Sequence, residues 1–129
     1  MSKFNEIYQS FSDALTRLER ALAKEKDEFM RDSAIQRFEF TFDLCWKTIK
    51  AYLEIQGIRC ASPNACFKEA FQQGLIEYEP IWLEMIERRN ETVHTYNAEM
   101  AEEVYARLQE FSNTFRQLQK MLAEKRTIS

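Results

Sequence analysis

Residues 35–47 read IQRFEFTFDLCWK, and this stretch decides the fold. Apolar residues recur here and on both sides at the three- and four-residue steps of an α-helix. The pattern predicts a helix from about Asp32 to Gln56. One face of this helix carries Ile35, Phe38, Phe42, Cys45, Ile49 and Tyr52. Because Phe40, Trp46 and Leu53 widen the apolar surface, we expect the helix to be buried on two sides.

The same helical spacing continues along nearly the whole chain. In the first segment one apolar stripe contains Phe4, Ile7, Phe11, Leu15, Leu18 and Leu22. The last segment has the most regular pattern, a seam made of Ala101, Val104, Leu108, Phe111, Phe115, Leu118 and Leu122. Such a seam suits helices that cross at about 20°. It could face the other helices of its own bundle or a second subunit, and the short chain favours its own bundle.

The two glycines and two prolines lie at helix boundaries. Gly57 is placed to end the second helix in a left-handed conformation, and Gly74 is placed to end a short helix that starts at Pro63. Ser62 before Pro63 is a typical N-cap, and Pro80 opens the next helix. No strand-like alternation occurs. We therefore expect one all-α domain over residues 1–129, with long antiparallel helices, short helices between them and a frayed tail from about residue 125.

Composition limits the functional classes. The hydrophobic content of 45% and charged content of 30% are ordinary for a soluble globular protein, and we expect the ten phenylalanines in its core. No apolar run approaches the roughly 18 residues that span a bilayer, and the first residues lack an apolar signal region, so we expect a cytoplasmic protein without membrane contact. The net charge of −3 disfavours a broad nucleic-acid surface but allows a local basic site such as Arg88-Arg89.

The three cysteines lack zinc-type spacing. Cys45 lies within the apolar pattern of the second helix and is expected in the core. Cys60 and Cys66 flank a turn and could pair or react, but we expect them to be reduced.

Chemistry near neutral pH points to one place, because His94 is the only histidine of the chain. Arg89 and Asn90 precede it and Tyr96 follows it. On an ideal helix Arg89 and His94 point about 140° apart, so a joint site requires either a distorted helix or a second subunit. The β-branched residues between Thr92 and Thr95 make a loosened helix end credible.

Several motifs resemble the nucleotidyltransferase substrate-binding proteins, a branch of the helical HEPN class. The resemblance covers roughly residues 30–100 and is carried by residues 35–47, Ser62-Pro63, Glu69-Ala70-Phe71, Gly74-Leu75-Ile76, Trp82-Leu83-Glu84-Met85, Arg89-Asn90 and His94-Thr95-Tyr96. It implies an up-and-down four-helix bundle with short additional helices, a homodimer, and a minimal nucleotidyltransferase encoded nearby as the partner.

The resemblance also implies a function. Many HEPN proteins are metal-independent ribonucleases with an Arg-x4-His motif, which falls on Arg89 and His94. In related toxin–antitoxin pairs the nucleotidyltransferase silences the ribonuclease by adenylating a tyrosine, which falls on Tyr96. The alternative is a subunit that binds a nucleotide or other substrate for the transferase without chemistry of its own, and the third hypothesis is a helical scaffold. None of them requires a cofactor or a metal.

Side-chain chemistry suggests the individual roles. His94 would act as base or acid in RNA cleavage, and Arg89 would stabilise charge on the phosphate. Asn90 would orient the phosphate or the imidazole. The candidate substrate contacts are Tyr96, Arg88, Lys47, Glu39 and Asp43. Each has a plainer alternative. Glu39 and Asp43 could be only the polar face of their helix, or could hold Arg89 or Lys47, and Arg88 could be a solvated charge.

Overall fold

The computed structural model describes residues 2–77 and 80–126, which form six α-helices and no strand. The helices are α1 (Lys3–Leu22), α2 (Glu28–Ile55), α3 (Pro63–Gln72), α4 (Pro80–His94), α5 (Ala98–Tyr105) and α6 (Leu108–Glu124). The all-α prediction is confirmed. Within the described ranges no helix is both long and apolar enough to cross a membrane.

Helix α2 is the centre of the bundle and contacts each of the other helices. It runs antiparallel to α1, since Lys3 at the start of α1 lies 3.8 Å from Glu54 at the end of α2. Helix α6 returns along α1, where Arg116 bonds to Glu19 and Gln119 bonds to Tyr8. Helix α3 packs between α2 and α4. The chain is thus a bundle of long helices with α3 added on one side.

Aromatic rings fill the core. Five phenylalanines are fully buried: Phe11, Phe38, Phe42, Phe111 and Phe115. The Phe38 and Phe111 rings stack with centroids 5.3 Å apart, which joins α2 to α6. All seven residues of the seam from Ala101 to Leu122 are buried within this one chain. The seam therefore faces the bundle of its own chain, as the sequence favoured.

The helix boundaries at glycine and proline are confirmed. Gly57 and Gly74 have φ angles of 81° and 78°, the left-handed region that glycine enters without strain. The Ser62 hydroxyl accepts a hydrogen bond from the Ala65 amide at 3.2 Å, and Pro63 is the first residue of α3. Each stop signal acts locally, which is why the sequence alone located it.

Two boundaries differ from the prediction. Helix α2 begins at Glu28, one turn before Asp32, because the Asp27 carboxylate caps it by accepting from the Met30 amide at 2.7 Å. The last segment forms two helices, with a break between Tyr105 and Leu108. The backbone at the break stays right-handed, so the apolar seam keeps its phase across it.

The expectation that all phenylalanines belong to the core is wrong for three of them. Phe29, Phe40 and Phe71 are 80%, 56% and 45% exposed. The prediction that Phe40 widens a buried surface fails because its side of α2 faces solvent. Leu53 is fully buried as expected, and Trp46 packs partly buried against the core.

The reduced state expected for two cysteines is also wrong. Cys60 and Cys66 form a disulfide with Cα atoms 5.1 Å apart, because the loop before α3 folds back against its first turn. Cys45 is a free, fully buried core residue, as predicted. The predicted frayed tail begins just after α6 ends at Glu124, and its residues 127–129 lie outside the described part of the chain.

Candidate functional site

The C-terminal half of α4 lies antiparallel on α2 and is fastened to a row of carboxylates. Three hydrogen bonds make this attachment: Arg89 Nη2 to Asp43 Oδ1 at 3.2 Å, Thr92 Oγ1 to Glu39 Oε2 at 3.1 Å, and Tyr96 Oη to Asp32 Oδ1 at 2.7 Å. We call Asp32, Glu39 and Asp43 the carboxylate row of α2. Arg89 and Thr92 of α4, and Tyr96 just beyond its end, each donate one hydrogen bond to this row.

Arg89 is positioned by both charge and an aromatic ring. Its guanidinium carbon lies 6.0 Å from the centre of the Phe42 ring, while Nη2 donates to Asp43. Asp43 also lies 3.9 Å from Lys47 Nζ, so it holds both cations that the sequence offered it. The Arg89 Nε is buried without a hydrogen-bond acceptor among the described residues. A buried donor of this kind is available to a ligand or water that reaches it.

His94 lies on a different side of α4. The helix continues through His94, and the Thr95 amide still donates to the Glu91 carbonyl at 2.8 Å. No distortion therefore turns Arg89 and His94 toward each other, and the helix geometry keeps them about 140° apart. Asn90 and His94 are exposed on a shared face, and neither has a hydrogen-bond partner in the described ranges. One chain does not bring the histidine and the arginine together.

Tyr96 lies beyond the helix end and returns to α2. Its hydroxyl donates to Asp32, which also accepts from Arg31 Nε at 3.0 Å. Burial and this hydrogen bond raise the pKa of Tyr96 to about 12. The bond from Tyr96, together with Arg31, lowers the pKa of Asp32 below its ordinary value. The phenol is thus held neutral and oriented by a carboxylate.

Sequence reasoning missed Asp32, Arg31 and Thr92 at this site. A signal for Asp32 was present, because Asp32, Glu39 and Asp43 are spaced by seven and four residues and so share one face of α2. Arg31 is nearly buried beside Asp32 and has no such pattern. The partners are far apart in sequence, by 64 residues for Tyr96 and Asp32.

Arg88 is not brought to this group. It lies among Glu84, Glu91 and Glu103, at 4.0, 3.2 and 3.6 Å, and so faces α5 instead of α2. Its proposed role in substrate binding stays a prediction. Within residues 2–77 and 80–126, no group of three or more histidine, cysteine or acidic side chains could hold a metal ion.

Residues 6–124 match the protein family described as nucleotidyltransferase substrate binding protein like. The chain belongs to this family. A relative named "Probable ribonuclease HepT", from Haemophilus influenzae, is 36% identical over 83 residues. That match covers 60% of this chain and 57% of the relative, so the chain spans little more than half of the relative's length.

A solved structure extends the likeness to the fold. A crystal structure of a protein from Thermus thermophilus superposes with a TM-score of 0.81 and 36% sequence identity. The superposition covers 91% of this chain and 99% of the other. The resemblance drawn from residues 30–100 is therefore confirmed, and it extends to α1 and α6.

Proposed function

We propose that this protein is a metal-independent ribonuclease toxin that a nucleotidyltransferase silences by adenylating Tyr96. The observation that carries the proposal is the attachment of α4 to the carboxylate row, which fixes Arg89 and Tyr96 and leaves His94 exposed on another side of α4. The relative named as a probable ribonuclease and the family's nucleotidyltransferase description support it.

Cleavage requires groups that move a proton and stabilise charge. The 2′-oxygen of a ribose attacks the adjacent phosphorus, and the bond from phosphorus to the 5′-oxygen of the next nucleotide breaks. A base takes the 2′-hydroxyl proton, and an acid gives a proton to the leaving oxygen. An imidazole serves either role near neutral pH, and the Arg89 guanidinium stabilises the charge on the phosphate in the transition state.

A homodimer supplies the second half of this chemistry. Because His94 and Arg89 diverge around α4, we propose that two copies of α4 face each other across one cleft. Each copy then contributes one imidazole, so that one acts as base and the other as acid. Asn90 shares the exposed face of His94 and would orient the phosphate or the partner's imidazole.

Adenylation of Tyr96 accounts for the control. The tyrosine oxygen attacks the α-phosphorus of a nucleoside triphosphate, pyrophosphate leaves, and the phenol proton passes to Asp32, its hydrogen-bond partner. The product places a bulky, negatively charged group beside the carboxylate row and the motif. RNA is then excluded by sterics and by charge repulsion.

The test is to express the chain in the bacterial cytoplasm, its expected location, first alone and then together with the nucleotidyltransferase encoded nearby. Expressed alone, the protein should arrest growth and degrade RNA. His94→Ala should lower cleavage by about 100-fold or more, whereas the matched control Thr95→Ala should not. In the co-expressed sample the Tyr96 peptide should gain the mass of one adenylate. Unimpaired growth and intact RNA with the unmodified protein would contradict the proposal.

A second candidate is a non-catalytic subunit that presents a nucleotide to the transferase. The family description favours it, as does the ion pair between Arg89 and Asp43, which a nucleotide phosphate could replace. This candidate predicts no RNA cleavage, and nucleotide binding that weakens on Arg89→Ala. Nucleotide titrations of the unmodified protein and of Arg89→Ala, together with the RNA cleavage assay, distinguish this candidate from the ribonuclease.

A further inference from the structure

Most arginines of this protein fall into two groups. One group forms ion pairs with carboxylates: Arg31, Arg88, Arg89, Arg107 and Arg116. A second group, Arg17, Arg20 and Arg37, has no carboxylate within ion-pair distance among the described residues, and neither has the neighbouring Lys24. A protein with a net charge of −3 has carboxylates to spare, so this lack of pairing is a local property.

The four unpaired cations line one groove between α1 and α2. It consists of two neighbouring hollows with volumes of about 430 and 360 Å³, and both are lined by Arg17 and Arg37. We call this the basic groove and define it by Arg17, Arg20, Lys24, Ser33, Arg37 and Phe40. One carboxylate lines it, Asp13, which accepts a hydrogen bond from Gln9 instead of pairing with an arginine.

Unpaired cations in a groove concentrate positive potential. Lining side chains of one sign raise the local concentration of an oppositely charged ligand. Arginine suits phosphate in particular, because its planar guanidinium donates two parallel hydrogen bonds. Arg37 is already oriented, since its Nε donates to the Ser33 hydroxyl at 3.2 Å, while its terminal nitrogens have no carboxylate partner in the described ranges. The groove therefore presents donors arranged for anions.

Phe40 adds an aromatic platform at the edge of the same groove. It is 56% exposed, although it belongs to an aromatic helix that could have buried it. Exposed rings beside cations are the combination that binds single-stranded nucleic acid, because bases stack on the ring while phosphates contact the charges. An acidic partner protein could form ion pairs with the arginines of the groove, but its binding would not explain why Phe40 is exposed beside them.

We propose that the basic groove binds the phosphodiester backbone of single-stranded RNA, with one base stacked on Phe40. The proposal rests on the proposed function for naming RNA as the substrate. Arg37 and Glu39 point about 160° apart on α2, so the groove and the carboxylate row lie on opposite flanks of this helix. Phe40 lies between these two flanks, so an RNA strand that crosses α2 at Phe40 runs from the groove toward the α4 flank.

The test measures RNA binding apart from cleavage. A fluorescein-labelled single-stranded RNA oligonucleotide of mixed sequence is titrated with full-length protein carrying His94→Ala, at several salt concentrations, and anisotropy is recorded. Adding Arg17→Gln with Arg20→Gln should weaken binding by about 10-fold or more at low salt and make the logarithmic salt slope shallower by about 1.4. Both arginines are exposed on α1, and circular dichroism checks that the helix is intact.

Two further variants complete the design. Arg59→Gln with Lys120→Gln removes the same charge from exposed positions outside the groove and should leave affinity nearly unchanged. Phe40→Ala should weaken binding by about 5-fold or more without changing the salt slope, because stacking is not an ionic contact. Equal losses in the groove variant and the control would show a net-charge effect and overturn the proposal.

The remaining outcomes separate this proposal from the proposed function. If the groove variant keeps its RNA affinity but no longer co-purifies with the nucleotidyltransferase, the groove is a protein-docking surface and the RNA assignment is wrong. If the groove binds RNA but unmodified protein does not cleave it, the groove stands and the ribonuclease proposal fails. If RNA is cleaved and the groove variants bind normally, the groove proposal fails alone.

Discussion

The arginines on the two flanks of α2 differ in whether they form ion pairs with carboxylates. On the α4 flank Arg89 and Arg31 lie against the carboxylate row, at 3.2 Å from Asp43 and 3.0 Å from Asp32. On the α1 flank the arginines of the basic groove have no carboxylate partner in the described ranges. The same residue type is therefore neutralised on one side of a helix and left as net positive charge on the other.

The contrast implies two roles for arginine in this protein: paired arginines orient their donors, and unpaired arginines attract anions. An arginine that shares its charge with a carboxylate contributes little long-range potential, but its donors point in a fixed direction. Partly exposed pairs of this kind add little stability, so orientation is their main consequence. Unpaired arginines act over the distance of the Debye length, about 8 Å at physiological salt, and recruit an anion from solution. One flank suits chemistry on a phosphate, and the other suits capture of a phosphate chain.

The largest expected effect comes from exchanging one arginine on each flank. Arg89→Gln should lower the maximal rate of RNA cleavage by about 100-fold or more, because a donor to the transition-state phosphate is lost. Arg37→Gln should raise the half-saturating RNA concentration by about 3-fold and leave the maximal rate unchanged, because one phosphate contact is lost. Steady-state kinetics on one RNA substrate give both numbers. If both variants change only the maximal rate, or both change only the half-saturating RNA concentration, the two flanks of α2 do not have separate roles in catalysis and binding.

The fold was accessible from the sequence because its signals are local. Apolar spacing and the ends marked by Gly57, Gly74 and Pro63 each act within a few residues. The break between α5 and α6 was not accessible, since it leaves the apolar seam in phase. The exposure of Phe40 was missed for another reason. It depends on which helices cover α2, and that is decided by contacts between distant segments.

The site was accessible only in part. The motif from Arg89 to Tyr96 was evident because its members are close in sequence, whereas its partners lie 46 to 64 residues away on α2. The basic groove was not predicted, because the net charge of a chain does not show which of its cations form ion pairs. A chain with a net charge of −3 gives no sign that Arg17 and Arg20 are unpaired until the carboxylates are placed.

A smaller effect should follow when one arginine changes from the paired to the unpaired condition. Asp43→Asn removes the carboxylate that neutralises Arg89 and Lys47, so both cations act on an RNA phosphate with their full charge. RNA affinity should rise by about 3-fold or more at low salt, with a salt slope steeper by about 0.7 for each released cation, about 1.4 for the two. Glu87→Gln on α4 is the matched control, because it makes the same charge change at an exposed carboxylate. An equal rise in both variants would mean that net charge, and not the release of Arg89 and Lys47, controls binding.

The smallest effect concerns the phenol that the carboxylate row holds. Asp32→Asn should lower the pKa of Tyr96 from about 12 toward the ordinary value of 10, stopping short of it because burial is the larger cause of the shift. Because the folded state binds this proton more tightly than the unfolded state, Tyr96 contributes stability below pH 10 that is lost as pH rises toward 12. In Asp32→Asn this contribution to stability should be smaller, and it should be lost over a narrower pH range above 10.

Ultraviolet titration of phenolate absorbance measures this pKa, with Tyr96→Phe subtracted to isolate one tyrosine among five. Thermal unfolding across the same pH range follows the stability. Glu39→Gln serves as the comparison variant, since Glu39 acts on Tyr96 only through its charge and should lower the pKa less than Asp32→Asn does. Unchanged titration in Asp32→Asn would mean that the hydroxyl is not bound to α2 in solution. The carboxylate row would then position Arg89 but not Tyr96, and the α4 flank would be ordered only as far as the end of its helix.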